Sequence, residues 1–223
     1  MSVINRMIGR KTNHMELFNQ VLKLEQELTT GGGWQDQIGG TLKGTKIITT
    51  QPGLVPDPKI QKVPSDLLDP RMNQGQTLLY YTGLRRLAKN ILRNIVSRTL
   101  DRNQKTMDTL HKLHVFPPLL VETMKKKDMQ AFGELIDRAL QLKKEIDPDS
   151  TNPDIEAILQ KFKPYMTGAT ILGAGGGGFL LVVAKSPKHA ESAKRALKKD
   201  PPNPLARFFD FDISTAGLEV TVC

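Results

Sequence analysis

Between Gly173 and Gly178 the chain reads GAGGGG, five glycines in six positions, with an apolar run on either side. Glycine loses more backbone freedom on ordering than any other residue and brings no side chain to pack. A helix cannot be carried through such a run, and a turn is forced. The stretch GATILGAGGGGFLLVVAK, 168–185, therefore reads as strand, glycine turn, strand. No Gly-Lys-Ser/Thr follows, which excludes a Walker loop. No helix opens after it, which excludes a dinucleotide fingerprint. Two readings remain. One is a tight hairpin with bulges, for which two glycines would serve. The other is a turn whose bare backbone lets a second backbone or a phosphate come close. The surplus of glycines favours the second. It makes Gly173, Gly175, Gly176, Gly177 and Gly178 candidate site residues. Gly176 or Gly177 is expected to hold angles, or a closeness of approach, that a Cβ prevents.

The segments around this turn set the architecture. QTLLYYTG, 76–83, reads as a buried strand. Leu84, Leu87, Ala88, Ile91, Leu92, Ile95 and Val96 then repeat at helical spacing. Further helices are predicted over 101–113, 117–126, 128–145, 152–163 and 187–199. Asp128 and Asn152 are placed as N-caps, and Pro153 suits a first helical position. ARFFDFDIS and GLEVTVC read as two final strands. The order strand, helices, strand, strand, helix, strand predicts an α+β fold of split βαβ type, an antiparallel sheet with helices packed on it. Upstream, His14 to Leu28 reads as a helix. TLKGTKIITT, 41–50, reads as a strand with a bulge at Gly44. QPGLVPDPKIQKVPSDLLDP, 51–70, is too rich in proline for regular helix and has room for a short strand at Ile60 to Val63. It marks a division into residues 1–64 and 65–223.

Composition removes several classes of function. The 223 residues carry a net charge of +9 and a single cysteine, Cys223. An intrachain disulfide is excluded, and a reducing compartment, the cytoplasm, is expected. No apolar run approaches the ~18 residues of a membrane span, so no membrane partner is expected. The basic excess concentrates at Arg85 to Lys105 and at Lys125, Lys126 and Lys127. Neither stretch is interleaved with aromatics, so solvated helix faces explain them better than a nucleic-acid partner. Nothing in the pattern selects an oligomeric state.

A second glycine cluster opens TTGGGWQDQIGG, 29–40. Asp36 stands alone between Gln35 and Gln37, with no histidine near, which argues against a metal site. A lone carboxylate among amides can accept a proton from a hydroxyl or stabilise the charge developing on it. Gln35 and Gln37 could hold the neighbouring hydroxyls, and Trp34 offers an apolar face to a sugar ring. The alternative is a helix N-terminus in which Asp36 complements the dipole. Residue types alone leave the two readings even.

Together TTGGGWQDQIGG, LLYYTGLRRLAKNIL and LGAGGGGFL resemble the GHMP small-molecule kinases, and within them the fucose kinases. The anomeric heptose-phosphate kinases are a nearby relative. KKEIDPDSTNP, 143–153, resembles the fucose-kinase pattern as well. The likeness runs from about residue 14 to the end. It implies a kinase transferring the γ-phosphoryl group of ATP to the anomeric hydroxyl of L-fucose, with Mg²⁺, in salvage toward GDP-fucose. Asp36 falls on the family's catalytic aspartate. Gly32, Gly33, Trp34, Gln35 and Gln37 fall on its substrate side, and Gly175 to Gly178 on the glycine loop near ATP. YYTGLRRLAK matches a strand-to-helix segment without catalytic work.

The departures are as informative. The family places a sugar-contacting strand and a Gly/Ser-rich phosphate loop before the catalytic aspartate, and no such run stands in this sequence. The chain then corresponds to a remnant of the N-terminal kinase domain, 1–64, and the C-terminal domain, 65–223. Alone, it is expected to be inactive. Leu140 stands where relatives often carry tryptophan, which bears on sugar identity. The competing expectation is a non-catalytic binding or regulatory protein of the same fold.

Overall fold

The structure is a computed structural model. It describes the chain apart from residues 29–32, 34, 52, 54–56, 85–87, 174 and 222–223, and apart from the side chains of residues 88–92. The chain divides into two compact units, Met1–Val63 with Ile213–Cys223, and Pro64–Asp212.

The first unit holds helices α1 (Ser2–Met7), α2 (His14–Glu27) and α3 (Gln35–Thr41) and strands β1 (Lys46–Thr49) and β2 (Lys59–Lys62). The α2 start is a capping box. Asn13 accepts from the Glu16 amide at 2.9 Å, and the Glu16 carboxylate accepts from the Asn13 amide at 3.3 Å. Leu17 and Phe18 are its buried anchors. β1 and β2 form an antiparallel ribbon, Ile48 opposite Ile60. The strand expected over 41–50 is shorter, because α3 runs on to Thr41. Gly44, at φ +75°, turns the chain between helix and strand, and its amide donates to Ser214 O.

The second unit begins with β3 (Thr77–Tyr81), followed by α4 (Ala88–Leu100), α5 (Gln104–His114), α6 (Phe116–Lys126) and α7 (Met129–Ile146). A 3₁₀ turn, Pro148–Ser150, leads into α8 (Pro153–Phe162). Then come β4 (Met166–Ile171), β5 (Phe179–Ala184), α9 (Pro187–Lys199) and β6 (Arg207–Phe209). The sheet order is β4-β5-β3-β6 and every pairing is antiparallel, the arrangement of a split βαβ fold. Asp128 and Asn152 are N-caps as the sequence predicts, accepting from the amides of Ala131 and Ile155, and Pro153 opens α8.

Strand alternation separates the two faces of the sheet. Leu78, Tyr80, Ala169, Ile171, Leu180 and Val182 pack against α8, through Ile155, Ile158 and Phe162, and against the small face of α9, Ala190 and Ala193. Each Leu, Ile, Val or Phe among them contributes about 1.5–3 kcal/mol on burial. On the opposite face Tyr81, Phe179 and Phe209 meet in tilted and edge-on contacts.

GLEVTVC was expected as a final strand and is not one over its described residues, 217–221. It belongs to the first unit, where the Leu218 amide donates to Thr41 O. Its apolar and polar residues alternate, but among the described residues no strand pairs with it to form a ladder, and a strand is defined by its partner.

α7 lies against β4 through a pair of glycines, Gly133 and Gly168. A Cβ at Gly168 would stand 1.9 Å from Gly133 O, and one at Gly133 would stand 2.8 Å from the Thr167 Cβ. At Gly168 it is backbone, not a flexible side chain, that would have to shift. Gly168→Ala is expected to destabilise the second unit by at least about 1–3 kcal/mol, read as a fall in the urea midpoint. An unchanged midpoint would show that α7 does not hold that position.

Candidate functional site

The aspartate motif lies on α3, a helix of seven residues. Successive residues on a helix point about a quarter-turn apart and do not share a face. Gln35 and Asp36 are exposed, while Gln37 and Ile38 turn inward. Ile38 is fully buried and anchors the helix. The Gln37 amide Nε2 donates to Glu25 Oε2 on α2 at 2.7 Å, and its Oε1 is buried without a hydrogen-bond partner. Gln37 was expected beside Gln35 as a substrate contact; it is placed in the packing between α2 and α3. The helix end is held by Lys46, whose Nζ donates to Leu42 O at 2.6 Å and Gly39 O at 3.3 Å. Burial moves the Lys46 ammonium below its ordinary pKa.

Asp36 in the first turn makes no hydrogen bond or ion pair with any described residue. Its carboxylate is free to meet a ligand, and its position equally suits the helix dipole. Both readings from the sequence are compatible with this geometry. Gly33 is exposed, and a Cβ there would meet nothing within 4 Å. Gly32 and Trp34 lie outside the described residues.

The glycine turn belongs to the second unit and is built from three sides. Gly173, Gly175, Gly176 and Gly178 have φ of +74°, +103°, +76° and +81°. Gly176 therefore holds the left-handed backbone that the sequence predicts. Leu172 N donates to Phe179 O at 2.9 Å and closes the hairpin around the turn.

On one side lies the 3₁₀ turn. The Gly176 amide donates to Ser150 O at 2.7 Å, and Asn152 Nδ2 donates to Gly176 O at 3.2 Å. A Cβ on Gly175 would stand 2.5 Å from the same Ser150 oxygen. On the second side the end of β3 grips Gly178. Its carbonyl accepts from Thr82 N at 2.8 Å and from Thr82 Oγ1 at 2.9 Å, and its amide donates to Leu84 O at 3.0 Å. Asn203 braces this joint from behind, its Nδ2 donating to Thr82 O at 2.7 Å. Gly83 has φ +77°, and a Cβ there would lie 2.0 Å from Asn203 Oδ1. On the third side, Lys143 Nζ on α7 donates to Ile171 O at 2.9 Å, where β4 enters the turn. Desolvation moves the Lys143 pKa down.

Beneath the 3₁₀ turn, Asp147 is buried and caps it. Arg98 on α4 reaches the same place, its NH1 donating to Ile146 O at 2.6 Å and its NH2 standing 3.8 Å from Asp147 Oδ1. Asp147 Oδ2 and Ser150 Oγ are buried without hydrogen-bond partners. Thr82, Gly83, Ser150, Asn152 and Asn203 were not singled out for the turn from the sequence. The Thr-Gly pair ending a strand and the Ser-Thr-Asn-Pro cap were the available signals.

The stretch that supplies the 3₁₀ turn, the glycine turn and Asn203 lies within residues 120–203, which match the family described as GHMP kinases C terminal. The chain carries a GHMP kinase C-terminal domain. Two relatives extend the likeness beyond that domain. The chain is 35% identical over 221 residues to the L-fucokinase/L-fucose-1-P guanylyltransferase of Bacteroides fragilis, covering 99% of this chain and 23% of that protein. It is 34% identical over 182 residues to the bifunctional fucokinase/GDP-fucose pyrophosphorylase of Arabidopsis thaliana, covering 80% of this chain and 17% of that one. The chain thus spans less than a quarter of either relative. Among solved structures, the galactokinase of Lactococcus lactis complexed with galactose matches with a TM-score of 0.69 at 16% identity, over 98% of this chain and 64% of that one. That likeness is one of fold.

Proposed function

We propose that this chain is part of an ATP-dependent sugar kinase that phosphorylates the anomeric hydroxyl of L-fucose. The observation that carries the reading is the 35% identity across 99% of the chain to a protein with L-fucokinase activity in its name. The exposed Asp36 carboxylate supports it, because an acceptor free of protein partners is what an incoming hydroxyl needs. Asp36 takes the proton from that hydroxyl, or stabilises its developing charge, as the oxygen bonds to the γ-phosphorus of ATP and ADP leaves. Gln35 stands next to it on the exposed side and is available to a sugar hydroxyl.

The glycine turn supplies a rigid bare-backbone surface suited to close approach of the nucleotide phosphates. Mg²⁺ supplies charge neutralisation when carried on those phosphates. Among the described residues no group of three or more His, Cys, Asp or Glu gathers as a protein cage for it. No helix of the described residues is long and apolar enough to cross a membrane, and the proposed substrates are small and polar. We place the work in the cytoplasm.

The test is an exchange. This chain replaces the matching 221-residue segment of the Bacteroides fragilis protein, and ATP-dependent formation of fucose 1-phosphate is measured. The exchanged protein is expected to phosphorylate L-fucose and to prefer it to D-galactose and to a heptose phosphate. A cooperative urea transition of the exchanged segment, followed by amide exchange, reports that it has folded. A folded exchange protein that leaves fucose untouched would sink the reading.

A further inference from the structure

The first unit contains a cationic cavity that the proposed kinase chemistry does not use. In the β1–β2 ribbon Lys46 stands directly opposite Lys62. Residues so paired share one face, with Cβ atoms about 4.5–5.5 Å apart, and like charges in that relation destabilise the pairing. Neither lysine has a carboxylate ion-pair partner among the described residues. Both line a cavity of about 340 Å³, together with Lys43 and the imidazole of His14. Among its described lining residues there is no Asp or Glu, and Ile60 and Leu218 supply an apolar wall. Its volume lies in the range of small-molecule sites, roughly 300–1,000 Å³.

Lys46 is held in place by Leu42 O and Gly39 O, which use two of its three N–H donors. The third remains available. Three lysines line one cavity, two of them opposite each other on a ribbon, and an anion between them would offset their repulsion. A neutral residue at either ribbon position would keep the ladder and avoid the repulsion.

We infer that this cavity binds a phosphomonoester, with its phosphate between Lys46 and Lys62 and its apolar portion against Ile60 and Leu218. The site is independent of the kinase reading, since it includes neither Asp36 nor the glycine turn. Its test reads binding to the chain itself, so either idea can fail without the other.

The chain is titrated with inorganic phosphate and with phenyl phosphate at constant ionic strength, held with chloride. Amide NMR shifts of β1 and β2 and the urea midpoint of the first unit are followed. Saturable shifts at Ile47 and Gln61 and a raised midpoint are expected with both probes. At least tenfold tighter binding of phenyl phosphate assigns the site to phosphomonoesters; equal binding overturns that assignment. Lys62→Glu places an acid opposite Lys46. It is expected to raise the midpoint without ligand and to abolish the saturable response. Lys62→Gln, which adds no new charge pair, is expected to weaken binding at least tenfold while the ribbon stays folded. If phosphate acts no differently from chloride, the lysines are merely screened and the proposal fails. It fails equally if Lys62→Glu lowers the ligand-free midpoint.

Discussion

Asp36→Asn in the fucose-phosphorylating exchange protein is expected to lower turnover by about 10²–10⁴-fold, the usual worth of a positioned acid–base group. The affinity for ATP should stay nearly intact. The substitution is close to isosteric, and Asp36 is exposed with no described partner to lose, so folding should not change. The helix-dipole reading makes a different prediction. Losing a charge at an exposed first turn costs about 0.3–1 kcal/mol of stability and leaves turnover alone. Steady-state kinetics and a urea melt on the same variant separate the two. Wild-type turnover with a lowered midpoint would remove Asp36 from the mechanism.

The second large effect is expected at Gly175. Gly175→Ala puts a methyl 2.5 Å from Ser150 O, at a φ of +103°. Strain at a positive φ and overpacking each cost about 1–3 kcal/mol. Both oppose the neighbouring bond from Gly176 N to Ser150 O. The turn is expected to detach from the 3₁₀ turn, with kcat/KM for ATP falling at least tenfold in the exchange protein. Gly173→Ala is the control. It shares the positive φ, +74°, but its Cβ would meet nothing within 4 Å. It should cost strain alone and leave the Ser150 bond in place, as amide exchange at Gly176 would report. Equal effects at the two positions would show that contact with Ser150 is unimportant.

Local chemistry made much of the second unit legible in the sequence. Asn152 followed by Pro153, and Asp128 before an amphipathic run, mark helix starts through bonds made within three residues. The apolar runs flanking the glycines could only be strands. Register and pairing partners are long-range properties, and there the reading failed. GLEVTVC alternates like a strand yet finds no ladder, and Thr41, which reads as the first residue of a strand, ends a helix. The candidate site divides in the same way. Asp36 and the glycines stand out by residue type, and so does the left-handed backbone at Gly176. Gln37 does not reveal its direction by type, because the side it faces depends on the helix phase and on Glu25. Thr82 and Asn203 were invisible as braces of the turn, since nothing in the sequence shows which residues will meet across 121 positions.

That long reach also orders events during synthesis. The bond from Thr82 Oγ1 to Gly178 O closes over 96 residues, and the bond from Asn203 to Thr82 over 121. Contacts so distant along the chain form slowly, after the entropy of closing the loop has been met. Helices α5 to α8 can form as they leave the ribosome, but the joint at Thr82 lacks its Asn203 brace until that residue emerges. At about 5–20 residues per second, the 25 positions from Gly178 to Asn203 take roughly one to five seconds. During that interval the β4–β5 hairpin exists without its final brace. A released chain truncated between Ala184 and Pro202 should therefore expose the turn to protease, and one that runs past Phe209 should protect it.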